Sequence, residues 1–118
     1  MAIPDKSQIR FEEILSALGH PVRLAILAAL ADNQQHRCGA LVTGVSKSTL
    51  THHWRVLRDA GVIDQEPSGR ENLLSLRRND IESRFPGFLP TVLAALATDS
   101  VAETTIGAYL PDPPTAVS

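Results

Sequence analysis

Apolar positions along the chain fall into helical spacing at both ends and in the middle, with one interval of a different period. Phe11, Ile14, Leu15 and Leu18 recur at i, i+3, i+4 and i+7, the face of an amphipathic helix, with Ser7 as its N-cap and Gly19 at its end. His20-Pro21 restarts the chain with proline at a first helical position, and VRLAILAALA is apolar nearly all round, as a helix enclosed on most sides must be. After the polar connector DNQQH, the glycine-punctuated stretch RCGALVTGV predicts a short third helix. Ser46 then offers a cap to a helix over residues 47–60, whose buried stripe is Leu50, Trp54 and Leu57 and whose stop is Gly61. VIDQE and NLLSL, strand-like runs on either side of PSGRE, predict a hairpin. RRNDIESRFPG holds a short helix stopped at Pro86-Gly87, and Leu89, Val92, Leu93 and Leu96 define a last helix.

The expected fold is therefore mainly α: about five helices and a two-stranded hairpin in one domain over residues 7–99. Segments 1–6 and 107–118 are expected to be flexible, since the tail GAYLPDPPTAVS has three prolines and little apolar content. At 118 residues and 43% hydrophobic content the chain is long enough for one core and too short for two. Its richest apolar run is broken by Arg23 and ends at Asp32, too short for a membrane span, and MAIPDKSQIRFEE places charges where an export signal needs apolar residues. One cysteine, Cys38, gives no internal disulfide and fits a reducing cytoplasm, the expected location.

Charge changes the picture when it is located rather than summed. The chain carries a net −2, but residues 46–78 hold six basic side chains (Lys47, Arg55, Arg58, Arg70, Arg77, Arg78) against four acids. The stretch SKSTLTHHWRVLRDAGVI has the division of labour that a helix entering a DNA major groove requires, short polar and basic residues in front and apolar anchors behind. Lys47, Ser48, Thr49, Thr51 and His52 lie outside the Leu50, Trp54 and Leu57 stripe. Arg55 and Arg58 continue that outward face, and Arg70 at the hairpin tip could reach the backbone or minor groove beside it. These eight residues are the candidate DNA contacts.

LGHPVRLAILAAL, followed by SKSTLTHHWRVLRDAGVI and a hairpin around SGRE, resembles the ArsR-type winged helix-turn-helix transcriptional regulators of prokaryotes. The resemblance spans roughly residues 14–77, and RFPGFL is similar to a feature of one subgroup. It implies a winged helix-turn-helix fold, binding to double-stranded operator DNA, and a repressor that leaves its promoter on signalling. Two-fold pairing through the first and last helices is expected, because Phe11, Ile14, Leu15, Leu18, Leu89, Val92, Leu93 and Leu96 exceed what one small core can use.

No cofactor and no metal are expected. Members that sense soft metals tend to carry Cys-x-Cys on the third helix, where this chain has Cys38 alone; others use Asp-x-His with a distant His-x-x-Glu on the last helix, where FLPTVLAALATDSVAE has no histidine. His52 and His53 are about 100° apart on a helix and do not share an ion easily. His53 reads as a packing residue, and Cys38 as a small hydrophobe rather than a thiol sensor. The effector, a small molecule or a protein partner among the alternatives, is left open. Catalysis is not expected, since His36 and Cys38 are the one tempting pair and nothing suggests an oxyanion turn. The rival reading is a winged helix that docks protein without DNA affinity; it calls for an apolar exposed helix face, and none of positions 47, 48, 51, 52, 55 or 58 is apolar.

Overall fold

The computed structural model describes residues 3–111, and within them the helical pattern closes around one core. Helix α1 (Phe11–Leu18) turns Ile14, Ala17 and Leu18 inward, while Phe11 and Leu15 remain 42% and 50% exposed. Ser7 is not its cap. The cap position is Arg10, and Ser7 sits in a separate 3-10 turn, Lys6–Gln8, donating to Asp5 Oδ2 at 2.7 Å. The reason lies one residue on. Ile9 is buried, and its side chain occupies the space beside Gly61, where an added Cβ would lie 2.6 Å from Ile9 Cγ1. Gly61 has φ 88°, so the turn that ends the later helix and the seat of Ile9 both require glycine there.

Helix α2 (Pro21–Ala29) starts with Pro21 at its first turn and His20 as cap, the imidazole Nδ1 accepting from Val22 N–H at 3.1 Å. Ala25, Ile26, Leu27 and the following Leu30 are fully enclosed, as an all-round apolar helix demands.

The expected third helix does not form. Only a 3-10 turn, Cys38–Ala40, precedes irregular chain over residues 41–45, where Gly44 has φ 76°. Glycines at 39 and 44 and the β-branched Val42, Thr43 and Val45 give the backbone little helical preference, and Leu41 and Val42 bury their side chains without it. A short strand not expected from the pattern, β1 (His36–Arg37), lies just before; two residues are too few to show alternation.

Helix α3 (Lys47–Asp59) is followed by strands β2 (Ile63–Ser68) and β3 (Glu71–Leu76). The sheet is three-stranded and antiparallel in the order β1-β3-β2, with Ile63 opposite Leu76, Gln65 opposite Leu74 and Ser68 opposite Glu71. Ile63 and Leu74 anchor it in the core, and Gly69-Arg70 forms the exposed tip. Helix α4 (Arg78–Arg84) ends before Pro86-Gly87.

The single last helix is instead two, α5 (Phe88–Thr98) and α6 (Ser100–Gly107). Asp99 breaks the run with an extended backbone, and its carboxylate caps α6 by accepting from Ala102 N–H at 2.8 Å.

The ends of the domain reach further than 7 and 99. Arg77, with its side chain only 6% exposed, donates to Pro4 O at 2.6 Å and to Asp80 Oδ2 at 2.9 Å. At the other end Tyr109 O accepts from Thr43 N–H at 2.7 Å. The described parts of the segments expected to be flexible are thus bonded to the body; residues 1–2 and 112–118 lie outside the described residues.

Candidate nucleic-acid interface

Helix α3 is held from beneath and free in front. Leu50, His53, Trp54 and Leu57 are its buried stripe, with Trp54 at 2% exposure. At the N-terminus Ser46 Oγ accepts from Thr49 N–H at 3.2 Å, satisfying one of the backbone donors that a helix start leaves open.

The eight candidate residues separate into three groups. Lys47, Ser48 and His52 are exposed on the leading half of α3, Arg55 is exposed just past its middle, and Arg70 is exposed at the hairpin tip. Lys47, Thr51, Arg55 and Arg70 line one cleft of about 470 Å³ between α3, the Cys38–Ala40 turn and the hairpin, with Trp54 among its walls. Thr49 and Thr51 are partly committed: Thr49 Oγ1 accepts from Ser46 Oγ at 2.8 Å, and Thr51 Oγ1 donates to Lys47 O at 2.9 Å. Each hydroxyl keeps acceptor capacity for a base or phosphate partner.

Arg58 belongs elsewhere. Its side chain is 15% exposed, pairs with Asp59 Oδ1 at 2.9 Å and donates to Gln65 Oε1 at 2.7 Å. Gln65 Nε2 in turn donates to Asn72 Oδ1 at 2.7 Å. This chain of bonds ties α3 to both hairpin strands and fixes the angle between helix and tip. The sequence offered no sign of it beyond polar side chains on facing strands.

Of the six bases counted over residues 46–78, Arg58, Arg77 and Arg78 are therefore used internally, Arg78 on Asn33 Oδ1 and Ala31 O. Lys47, Arg55 and Arg70 make no hydrogen bond or ion pair through their side chains among the described residues; Arg55 lies over the Trp54 ring at 5.6 Å. The three uncompensated cations share the cleft. Its one carboxylate, Glu71, faces Arg37 at 3.2 Å.

Behind the interface, His53 packs between two other imidazoles, 4.3 Å from the His20 ring and 5.4 Å from that of His52 by centroid. Burial holds its pKa below the ordinary value, and His20, Arg23 and His52 push the same way. The unfolded chain therefore takes up this proton first on acidification, and the stability that His53 contributes is complete above about pH 6.5 and is lost below it. Folding stability is expected to decline from pH 7 to pH 5.5 with a slope that a His53→Gln variant reduces, as urea titrations at each pH would show.

His36 is paired with Asp32. His36 Nε2 sits 2.8 Å from Asp32 Oδ2, and that imidazole, with Gln34 N–H, holds the Asp32 carboxyl below the usual carboxylate range. Cys38 is half-buried against the core, and no group of three metal-ligating side chains occurs among the described residues.

A family model described as a helix-turn-helix domain matches residues 18–66, the part of the chain that contains α2 and α3. The uncharacterized HTH-type transcriptional regulator YceK of Bacillus subtilis is 33% identical over 88 residues, which cover 72% of this chain and 87% of that protein. The chain belongs to the ArsR-type winged helix-turn-helix regulators. A second member, the HTH-type transcriptional repressor SmtB of Mycobacterium tuberculosis, is 42% identical over 67 residues, spanning 54% of this chain and 48% of SmtB. The crystal structure of M. tuberculosis Rv0081 superposes with a TM-score of 0.56 at 31% identity, covering 77% of this chain and 92% of the other. Membership makes the protein a DNA-binding transcriptional regulator, and gives α3 and the β2–β3 hairpin the places of recognition helix and wing. Among the described residues no helix is long and apolar enough to cross a membrane.

Proposed function

We propose that this ArsR-type regulator is a sequence-specific, dimeric repressor that occludes promoter DNA and leaves it when an effector acts. The observation that carries this reading is the convergence of Lys47, Arg55 and Arg70, without internal partners, on the cleft between recognition helix and wing. Phosphates on the two sides of a groove would meet Arg70 and Arg55, while Ser48, Thr51 and His52 face the base edges. Thr49 completes the helix cap beside them, and Arg58 holds the wing. One domain carries both DNA binding and pairing.

The dimer reading is supported by surface that the protomer leaves uncovered. Ile14, Leu18, Leu89 and Leu96, expected at the interface, are consumed by the protomer's own core. Phe11 and Val92, of the same expected set, line with Phe85 and Phe88 an open apolar hollow of about 700 Å³, and Leu15 adds to the exposed apolar surface of α1. A two-fold axis through this surface would set two recognition helices on successive major grooves. The SmtB relative is named a repressor, which favours occlusion as the mode of control.

The role assignment is tested by selecting preferred sequences from random duplex DNA with the wild type and four variants. Arg55→Ala and Arg70→Ala should weaken all duplexes alike. Thr51→Ala and His52→Ala should change which sequences are preferred, at about 1–3 kcal/mol per base-reading side chain. Unaltered preference in both of the latter would refute it.

A further inference from the structure

The chain beyond Asp99 folds back instead of prolonging α5. Helix α6 lies over α2 and α5, with Ile106 at 5% exposure as its inward anchor and Tyr109 and Leu110 packed against the core from one side. The chain then reaches the segment that precedes the recognition helix. Thr43 N–H donates to Tyr109 O at 2.7 Å, and Thr43 Oγ1 approaches the same oxygen at 3.4 Å. Thr43 belongs to the irregular residues 41–45, which have no helix of their own and end at Ser46, the cap of α3.

We propose that α6 and the Tyr109-Leu110 segment form a latch that holds residues 41–45, and through them the N-terminal end of α3, in the DNA-binding arrangement. Two features support a device that opens, as against a permanent part of the core. Leu110 is only partly buried and lies between two hollows, one of about 390 Å³ lined by Ala28, Leu93 and Ile106 and one of about 310 Å³ lined by His36 and Leu41. Its seat is therefore loosely filled, and the small side chains of Ala28, Ala31 and Ala97 leave it so. The join to α5 is one extended residue, Asp99, which lets α6 swing without unwinding either helix. With the latch closed, the chain before the recognition helix is ordered before DNA arrives; with it open, that ordering must be supplied on binding, and affinity falls.

The inference rests on the DNA-binding reading, and its test separates the two. Amide exchange would be followed in the wild type, in Leu110→Asp and in Ile106→Asp/Leu110→Asp, alongside affinity for the preferred duplex of the wild type. Closed-latch protection predicts a slowly exchanging Thr43 amide in the wild type. In the double variant that amide is expected to exchange about tenfold faster or more, while Ile26 and Leu57 stay protected, and affinity for the duplex to drop by a similar factor. Leu110→Asp should move both quantities in the same direction by less. An unprotected wild-type Thr43 amide, unchanged exchange in both variants, or faster exchange with unchanged affinity would overturn the latch while leaving the DNA reading intact. Wild-type protein with no affinity for any duplex would overturn the DNA reading, and the latch's role in DNA binding with it.

Discussion

Replacing Trp54 with alanine is expected to cost about 3–5 kcal/mol of folding stability, a large part of the roughly 5–15 kcal/mol that a domain of this size possesses. Trp54 is the largest fully buried side chain of the protein and lies in the middle of the α3 stripe, between Leu50 and Leu57. Removing it leaves a void that the neighbouring strands and helices can only partly fill. The guanidinium groups of Arg55 and Arg58 each lie 5.6 Å from its ring, so their placement goes with it. Urea denaturation followed by far-UV circular dichroism would measure the loss, with Val101→Ala, 73% exposed, as a control that should stay within about 0.5 kcal/mol of wild type. A cost below about 1 kcal/mol for Trp54→Ala would mean that α3 is not anchored as described.

The second large effect is expected from Leu15→Glu. Half of this side chain is exposed, so a glutamate costs the protomer little, but it puts a charge on the apolar surface of α1 through which two copies are proposed to meet. Sedimentation should show the wild type as a dimer and the variant as a folded monomer. Affinity for a two-half-site duplex should fall by about 10²–10⁴, because a monomer loses the intramolecular second contact. A variant that still sediments as a dimer would place the interface elsewhere.

Much of the fold was legible because strong periods have few interpretations. The all-round apolar run of α2, the Leu50, Trp54 and Leu57 stripe, the hairpin and the Pro86-Gly87 stop all stand where the pattern put them. Failures cluster where tertiary packing outweighs local preference. Ser7 had the chemistry of a cap, but burial of Ile9 against Gly61 drew the chain into a separate turn. Residues 37–45 bury Leu41 and Val42 without forming a helix, and β1 is a strand only because β3 lies beside it. Asp99 was readable in principle, since Thr-Asp-Ser is a good helix start; the continuing apolar residues obscured it.

For the candidate interface, sequence showed the basic segment and not its internal bonding. Composition along the chain located the basic segment, but charge counts do not say which bases are spent on the protein itself. Arg58 and Arg77 look like surface charges in sequence, and in the fold they hold the wing and the N-terminal segment. That distinction depends on residues far away in sequence, Pro4 and Gln65 among them. Of the four bases expected at DNA, it leaves Lys47, Arg55 and Arg70 without an internal partner among the described residues.

Lys47, Arg55 and Arg70 are proposed as the phosphate-binding set of each protomer. The direct measurement is the salt dependence of binding to a promoter-length duplex by wild type and by Lys47→Ala/Arg55→Ala/Arg70→Ala, using fluorescence anisotropy. With one phosphate per cation and two protomers, the wild-type plot of log affinity against log salt should have a slope of about −5, and the triple variant should lose most of it together with its affinity. A triple variant with an unchanged slope, or a wild type whose binding is indifferent to salt, would mean that these cations do not bind the phosphates.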